Sequence, residues 1–179
     1  MNTPQPSRPR NVLFLCTGNS ARSILAECLL RDLGKDRFAA YSAGSFPKGA
    51  VHKLALRLLA EQGIATAGLR SKSWDEFARP GAPAMDFVFT VCDQAAGEVC
   101  PIWPGHPITA HWGIPDPAAV ADDGRGAPML AFREAWQMLQ TRIKLFLALP
   151  FAALDRAALA REAGAIGRLR ADAAEHQAS

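Results

Sequence analysis

Val12-Leu13-Phe14-Leu15-Cys16-Thr17-Gly18-Asn19-Ser20-Ala21-Arg22-Ser23 decides the reading of this chain. Four consecutive apolar residues, Val12 to Leu15, read as a short strand buried on both faces. Gly18 and Asn19 break it. From Arg22 to about Leu33, Ile24, Leu25, Cys28 and Leu29 recur on one helical face, and Gly34 is the stop. A strand that ends in a tight loop feeding a helix aims several backbone N–H groups at one spot, where the helix N-terminus adds partial positive charge. That loop holds a thiol, Cys16, and a planar guanidinium, Arg22, which can grip two oxygens of a tetrahedral oxyanion. Amides, dipole and guanidinium together are expected to ionise the thiol readily. Ser23 can donate its hydroxyl to the sulfur, Gly18 permits a positive φ in the loop, and Asn19 can tie the loop down through its side-chain amide. Thr17, Ser20 and Ala21 complete the expected oxyanion-binding loop. The competing reading, a structural cysteine before a helix, accounts for Cys16 alone and not for Gly, Asn, Arg and Ser around it.

Outward from this loop, strands and helices alternate. Phe38 to Ser42 reads as a second strand ended by Ala43-Gly44, and a helix is expected from about Gly49 to Gln62, ended by Gly63. Ser73 to Phe77 looks like a short capped helix, and Met85 to Val91 is the clearest buried strand. Residues 93–107 contain three prolines and two glycines and read as a loop with at most a short helix. Ile108 to Trp112 is a last short strand. Phe132, Trp136, Leu139, Ile143, Phe146 and Leu147 mark an amphipathic helix from about Pro128 to Ala148. Residues 152–170 form an alanine-rich helix candidate, weakened by Gly164 and Gly167. The alternation predicts an α/β fold in three layers, a parallel sheet covered on both faces. Residues 1–10 read as a flexible arm, 11–149 as one domain and 150–179 as a helical extension.

The bulk composition narrows the function classes. With 179 residues, 49% apolar and 21% charged, the chain is an ordinary globular domain. A formal net charge of +3 argues for neither nucleic acid nor an acidic membrane. The longest apolar stretch, Leu145 to Leu154, is interrupted by Pro150 and is too short to span a bilayer. Four cysteines without an export signal fit the cytoplasm, where thiols stay reduced and serve catalysis or metal binding.

Two of those cysteines lie far from the loop. Cys92 follows the strand ending at Val91, at the carboxyl edge of the sheet where ligands collect, which places it near Cys16. The segment between Cys92 and Cys100 could form a short helix that unwinds to bring the two together. Zinc would require further ligands at metal-site spacing. His106 and His111 are candidates, but the chain has no Cys-x2-Cys pair. Cys28 falls on the apolar face of its helix and reads as core, and Trp103, Trp112 and Trp136 read as packing groups.

The stretch from Val12 to Ser23, followed by Ala26-Glu27 and by Ser42-Ala43-Gly44, resembles the low-molecular-weight protein tyrosine phosphatase superfamily. The resemblance implies a four-stranded parallel sheet flanked by helices, Cys16 as nucleophile and Arg22 as oxyanion clamp. Ala21 stands where many members carry a second loop cysteine. His111-Trp112-Gly113-Ile114-Pro115-Asp116-Pro117 contains an Asp-Pro pair. On spacing alone this is a common turn; by resemblance Asp116 is the general acid. Ala118-Ala119-Val120 follow where tyrosine phosphatases usually carry aromatics, which suits a small inorganic oxyanion better than an aryl phosphate.

Thr90-Val91-Cys92-Asp93, Cys100-Pro101 and His111-Trp112-Gly113 are similar to the thioredoxin-coupled arsenate reductases built on the same fold. Seven residues separate Cys92 from Cys100, one more than in those reductases. This second resemblance implies arsenate as substrate, with phosphate or sulfate as competing oxyanions. It also implies a Cys16/Cys92/Cys100 disulfide relay, and an external thiol donor, thioredoxin or a glutaredoxin/glutathione system, in place of a bound cofactor. A phosphatase acting on phosphotyrosine or small phosphoesters is the alternative within catalysis. A redox-sensing or phosphoprotein-binding module is the alternative outside it. Some reductases of this type bind potassium near the loop; Asn19, Glu27 and Ser42 match positions that could serve, and no metal is assigned.

Overall fold

A computed structural model describes residues 8–169. Four strands, β1 (Arg10–Cys16), β2 (Phe38–Gly44), β3 (Phe87–Thr90) and β4 (Ile108–His111), form one sheet in the order β2-β1-β3-β4. All three pairings are parallel. β1 lies between β2 and β3, and Val12, Leu13, Phe14 and Leu15 are completely buried, so the unbroken apolar run is the signature of a strand covered above and below.

The pleat sends alternate residues to the two faces. Val12 and Phe14, with Ala40, Phe87 and Phe89, face the larger core beneath α1 (Arg22–Gly34), α2 (Lys53–Glu61), α5 (Ala127–Leu147) and α6 (Arg156–Gly167). Leu13, Leu15, Ala43 and Val88 face a smaller core closed by Phe77 of α3 (Asp75–Ala78), Met85 and Trp103. The layers expected on both faces are present but unequal.

Element boundaries shift for local reasons. α2 begins at Lys53 rather than Gly49, because Gly49 takes φ 84° and the His52 ring caps the helix by accepting from Leu54 N–H at 3.1 Å. A four-residue helix, α4 (Asp93–Ala96), follows Cys92. Arg10, placed in the arm by the sequence reading, opens β1, and the Arg8 guanidinium grips Asp86 at 2.8 and 2.9 Å. Residues 1–7 of the expected arm and 170–179 of the expected extension lie outside the described residues.

α6 starts at Asp155, whose carboxylate caps Ala158 N–H at 2.7 Å, and it packs on β4. Trp112, just past β4, stacks on Phe89 with ring centroids 4.1 Å apart and donates its indole N–H to the Ala163 carbonyl of α6 at 2.9 Å. Trp103, Trp112 and Trp136 are all buried, as expected of packing groups. Among the described residues no helix is long and apolar enough to cross a membrane.

Candidate active site

The loop after β1 is held from outside by its carbonyls. Thr17 O accepts from Phe46 N–H at 2.9 Å, Gly18 O from Lys48 N–H at 2.9 Å and Ser71 hydroxyl at 3.1 Å, and Ser20 O from His52 N–H at 2.8 Å. Because each peptide is planar and trans, a carbonyl turned outward turns the following N–H inward. The segment 45–52 thereby fixes the direction of the loop's donors. Asn19 N–H shows the result, pointing at Cys16 Sγ from 3.2 Å. α1 starts at Arg22 with no side chain capping its first turn, so its free N–H groups face the same concavity.

Asn19, not Gly18, carries the left-handed backbone, at φ 43°. Glycine permits that conformation at position 18, but asparagine, which tolerates it among non-glycine residues, takes it here with its side chain fully engaged. Asn19 is completely buried, donating to Ser23 Oγ at 2.9 Å and Ser42 Oγ at 3.0 Å and accepting from Lys72 N–H at 2.9 Å. Gly18 has a different role. A Cβ there would sit 3.2 Å from the Lys48 side chain, which lies along the rim. Gly44, at the end of β2, cannot carry a Cβ without striking the Thr17 carbonyl. Gly44→Ala is expected to cost about 2 kcal/mol, since backbone rather than a flexible side chain must move. That corresponds to a fall in Tm of roughly 4–8 °C for a chain of this size, read by calorimetry.

Cys16 is 4% exposed, with Ser23 Oγ 2.9 Å from its sulfur. Burial pushes its thiol above the ordinary range, and the hydrogen bonds from Ser23 and Asn19 pull it back only in part. The Arg22 guanidinium is turned elsewhere, donating to Ile114 O at 3.1 Å and lying 3.5 Å from Asp116 Oδ2. Asp116 caps the short turn Pro117–Ala119 by accepting from Ala118 N–H at 3.0 Å. Its second oxygen is left facing Arg22.

Cys92 arrives from the next strand. Val91 N–H bonds Leu15 O at 2.8 Å, which carries the β1–β3 ladder past Thr90 and sets Cys92 beside the loop. Its sulfur is 2% exposed, 3.6 Å from Thr17 Oγ1, and accepts from Ala95 N–H at 3.3 Å. Asp93, the next residue, is tied to His111 Nε2 at 2.7 Å, and Thr90 Oγ1 meets the other ring nitrogen at 2.7 Å. Cys100 stays on the surface, a free thiol between exposed Val99 and Ile102, and burial with the Glu98 charge pushes it up. Cys28 is core as expected, its thiol pushed up to about 11 chiefly by burial.

The structure thus brings Cys16, Thr17, Gly18, Asn19, Ser20, Ala21, Arg22, Ser23, Cys92 and Asp116 to one edge of the sheet and leaves Cys100 outside. Sequence reading missed Lys48 on the rim, Lys72 beneath the loop, and His52. Burial and Lys48 push the His52 ring down while the Asp116 charge pushes it up. No local motif marks these residues; they reach the site only when the segments after β2 fold over the loop. Among the described residues no group of three His, Cys, Asp or Glu side chains is arranged to hold a metal ion.

A thiol under inward-facing amides, an arginine at the rim and a neighbouring carboxylate define a cysteine-based oxyanion site of the phosphatase type. The family model for low molecular weight phosphotyrosine protein phosphatase matches residues 11–162, and the chain belongs to that family. It is 36% identical over 137 residues to the arsenate reductase of Halalkalibacterium halodurans, covering 75% of this chain and 93% of that one. Against the arsenate reductase of Shouchella clausii it is 33% identical over 135 residues, with 75% and 93% covered. A solved arsenate reductase in its phosphate-binding state superposes with a TM-score of 0.63 at 27% identity, covering 78% of this chain and 97% of that one.

Proposed function

We propose that the protein reduces arsenate to arsenite by a three-cysteine relay. The observation that carries this reading is Cys92, a second buried free thiol against Thr17 of the oxyanion loop. Hydrolysis has no use for it. The identity to arsenate reductases along three quarters of the chain supports the same substrate.

In the first step arsenate lies on the inward amides of Thr17 to Ser23, and Arg22 swings from Ile114 to hold two of its oxygens. Cys16 sulfur attacks arsenic. A sulfur–arsenic bond forms, an arsenic–oxygen bond breaks, and the oxygen departs as water with a proton from Asp116. Any proton on the thiol passes to the dianionic substrate as the sulfur attacks. In the second step Cys92 attacks Cys16 sulfur, its proton passing to an oxygen of the departing arsenic group. The sulfur–arsenic bond breaks with its electron pair going to arsenic, which falls from As(V) to As(III) and leaves as arsenite. Two sulfurs are oxidised to the Cys16–Cys92 disulfide. In the third step Cys100 attacks Cys92, releasing Cys16 and leaving Cys92–Cys100. An external dithiol, of the thioredoxin or glutaredoxin/glutathione class, reduces that bond in the cytoplasm. Val99 and Ile102 offer it an apolar approach to Cys100.

The test follows NADPH consumption with arsenate and a thioredoxin or glutaredoxin system, beside hydrolysis of para-nitrophenyl phosphate. Arsenate-dependent oxidation supports the reading, and hydrolysis alone sinks it. A second reading, hydrolysis of small phosphoesters, is favoured by Arg22 and Asp116 standing 3.5 Å apart over the same loop. Phosphorus(V) accepts no electron pair from the thiols, so phosphoester chemistry ends in hydrolysis of the Cys16 adduct. Asp116→Asn is expected to lower para-nitrophenyl phosphate hydrolysis roughly 100-fold by removing the transferable proton. A steady-state comparison at one pH checks it.

A further inference from the structure

Potassium, bound near the loop in some reductases of this type, does not fit this chain. The position that Asn19, Glu27 and Ser42 would line already holds a cation of the protein's own. The backbone of Gly44 pairs with the strand-like segment beyond it, Gly44 N–H donating to Lys72 O at 2.9 Å and Trp74 N–H to Gly44 O at 2.9 Å. This pairing carries Lys72 under the loop, where the residue is only 9% exposed. Its ammonium donates to Arg70 O at 3.1 Å and to Ser42 Oγ at 3.4 Å. Glu27, 5% exposed on α1, pairs with Arg31 at 3.3 Å and lies close enough for Lys72 and Glu27 each to feel the other's charge.

We propose that the Lys72 ammonium is the resident cation of the oxyanion loop and makes the site independent of a monovalent metal. It acts as a positioning residue through two routes to Asn19. Ser42 Oγ receives both the ammonium and the Asn19 amide, while Lys72 N–H binds the other end of the same side chain, Asn19 Oδ1. Asn19 in turn fixes Ser23 Oγ, which touches Cys16 sulfur. Two oxygens within reach of the ammonium, with the Glu27 charge nearby, favour a cation there, and a buried charge that loses compensation is costly. Removing the ammonium takes from Ser42 Oγ the donor that shares it with the Asn19 amide, and leaves Glu27 with Arg31, 3.3 Å away, as its cation. The inference rests on the oxyanion-site reading but not on the relay, so its test uses inorganic phosphate instead of arsenic reduction.

The full chain is melted, and its phosphate Kd measured by titration calorimetry, in potassium chloride and in choline chloride at equal ionic strength. The native protein is expected to give the same Tm and Kd in both salts. Lys72→Met, which keeps most of the stem without the charge, is expected to weaken phosphate binding roughly tenfold. Lys72→Ala, which opens space, is expected to melt higher in potassium than in choline. Native protein stabilised by potassium over choline, or Lys72→Met with native Kd, overturns the proposal. Failure of the native protein to bind phosphate at all counts against the oxyanion-site reading. The salt comparison of native melting still decides the cation question in that case, and it needs no variant to fold.

Discussion

Cys92→Ser is expected to lower arsenate turnover by at least roughly a thousandfold while para-nitrophenyl phosphate hydrolysis stays within about threefold of native. The serine oxygen can take over the contacts of the sulfur with Thr17 hydroxyl and Ala95 N–H, so the buried corner at the end of β3 keeps its packing. What it cannot do is form a bond to Cys16 sulfur and leave arsenic with the electron pair. Folding should change little, by about 1 kcal/mol or less. Mass spectrometry of the oxidised protein is expected to show Cys16–Cys92 and then Cys92–Cys100 pairs in the native chain, and neither in the variant. Loss of both activities to the same extent would mean that Cys92 shapes the loop instead of exchanging electrons, and the relay would fall.

Cys16→Ser is expected to remove both activities, again by at least roughly a thousandfold, since the Cys16 sulfur is the nucleophile that the Asn19 amide of the loop meets. Phosphate binding separates this loss from a damaged pocket. The Asn19 N–H and Ser23 hydroxyl that approach the sulfur at 3.2 and 2.9 Å can meet an oxygen in its place. The variant should bind phosphate within a few-fold of native Kd. Retained arsenate reduction in this variant would move the chemistry to Cys92 and discard the adduct on Cys16.

The site was legible from sequence where its residues are neighbours in the chain. Cys16, Arg22 and Ser23 sit on a loop whose flanks announce themselves, a four-residue apolar strand before and an amphipathic helix after. The sheet was legible for the same reason, because parallel strands buried on both faces need no partner to be recognised. Asp116 was a bare Asp-Pro turn until the family resemblance gave it a role; the 3.5 Å approach to Arg22 exists only after β4 and the turn at Pro117 are in place. Lys72, Lys48 and His52 were invisible, being polar residues in or beside loops with no spacing that marks them. Gly18 could take a positive φ, but the turn falls on Asn19, where three hydrogen bonds to the side chain hold it.

The placement of Cys92 just past β3, the strand adjacent to β1, bears on how such chemistry can arise. Neighbouring strands run about 4.8 Å apart and advance about 3.3 Å per residue. One step across and one along separates two Cα atoms by about 6 Å, within the span that a disulfide bridges. Any chain of this topology that acquires a cysteine just beyond its third strand gains a sulfur within bonding reach of the nucleophile. A hydrolase scaffold is in that sense one substitution away from exchanging electrons, with its anion cradle left untouched.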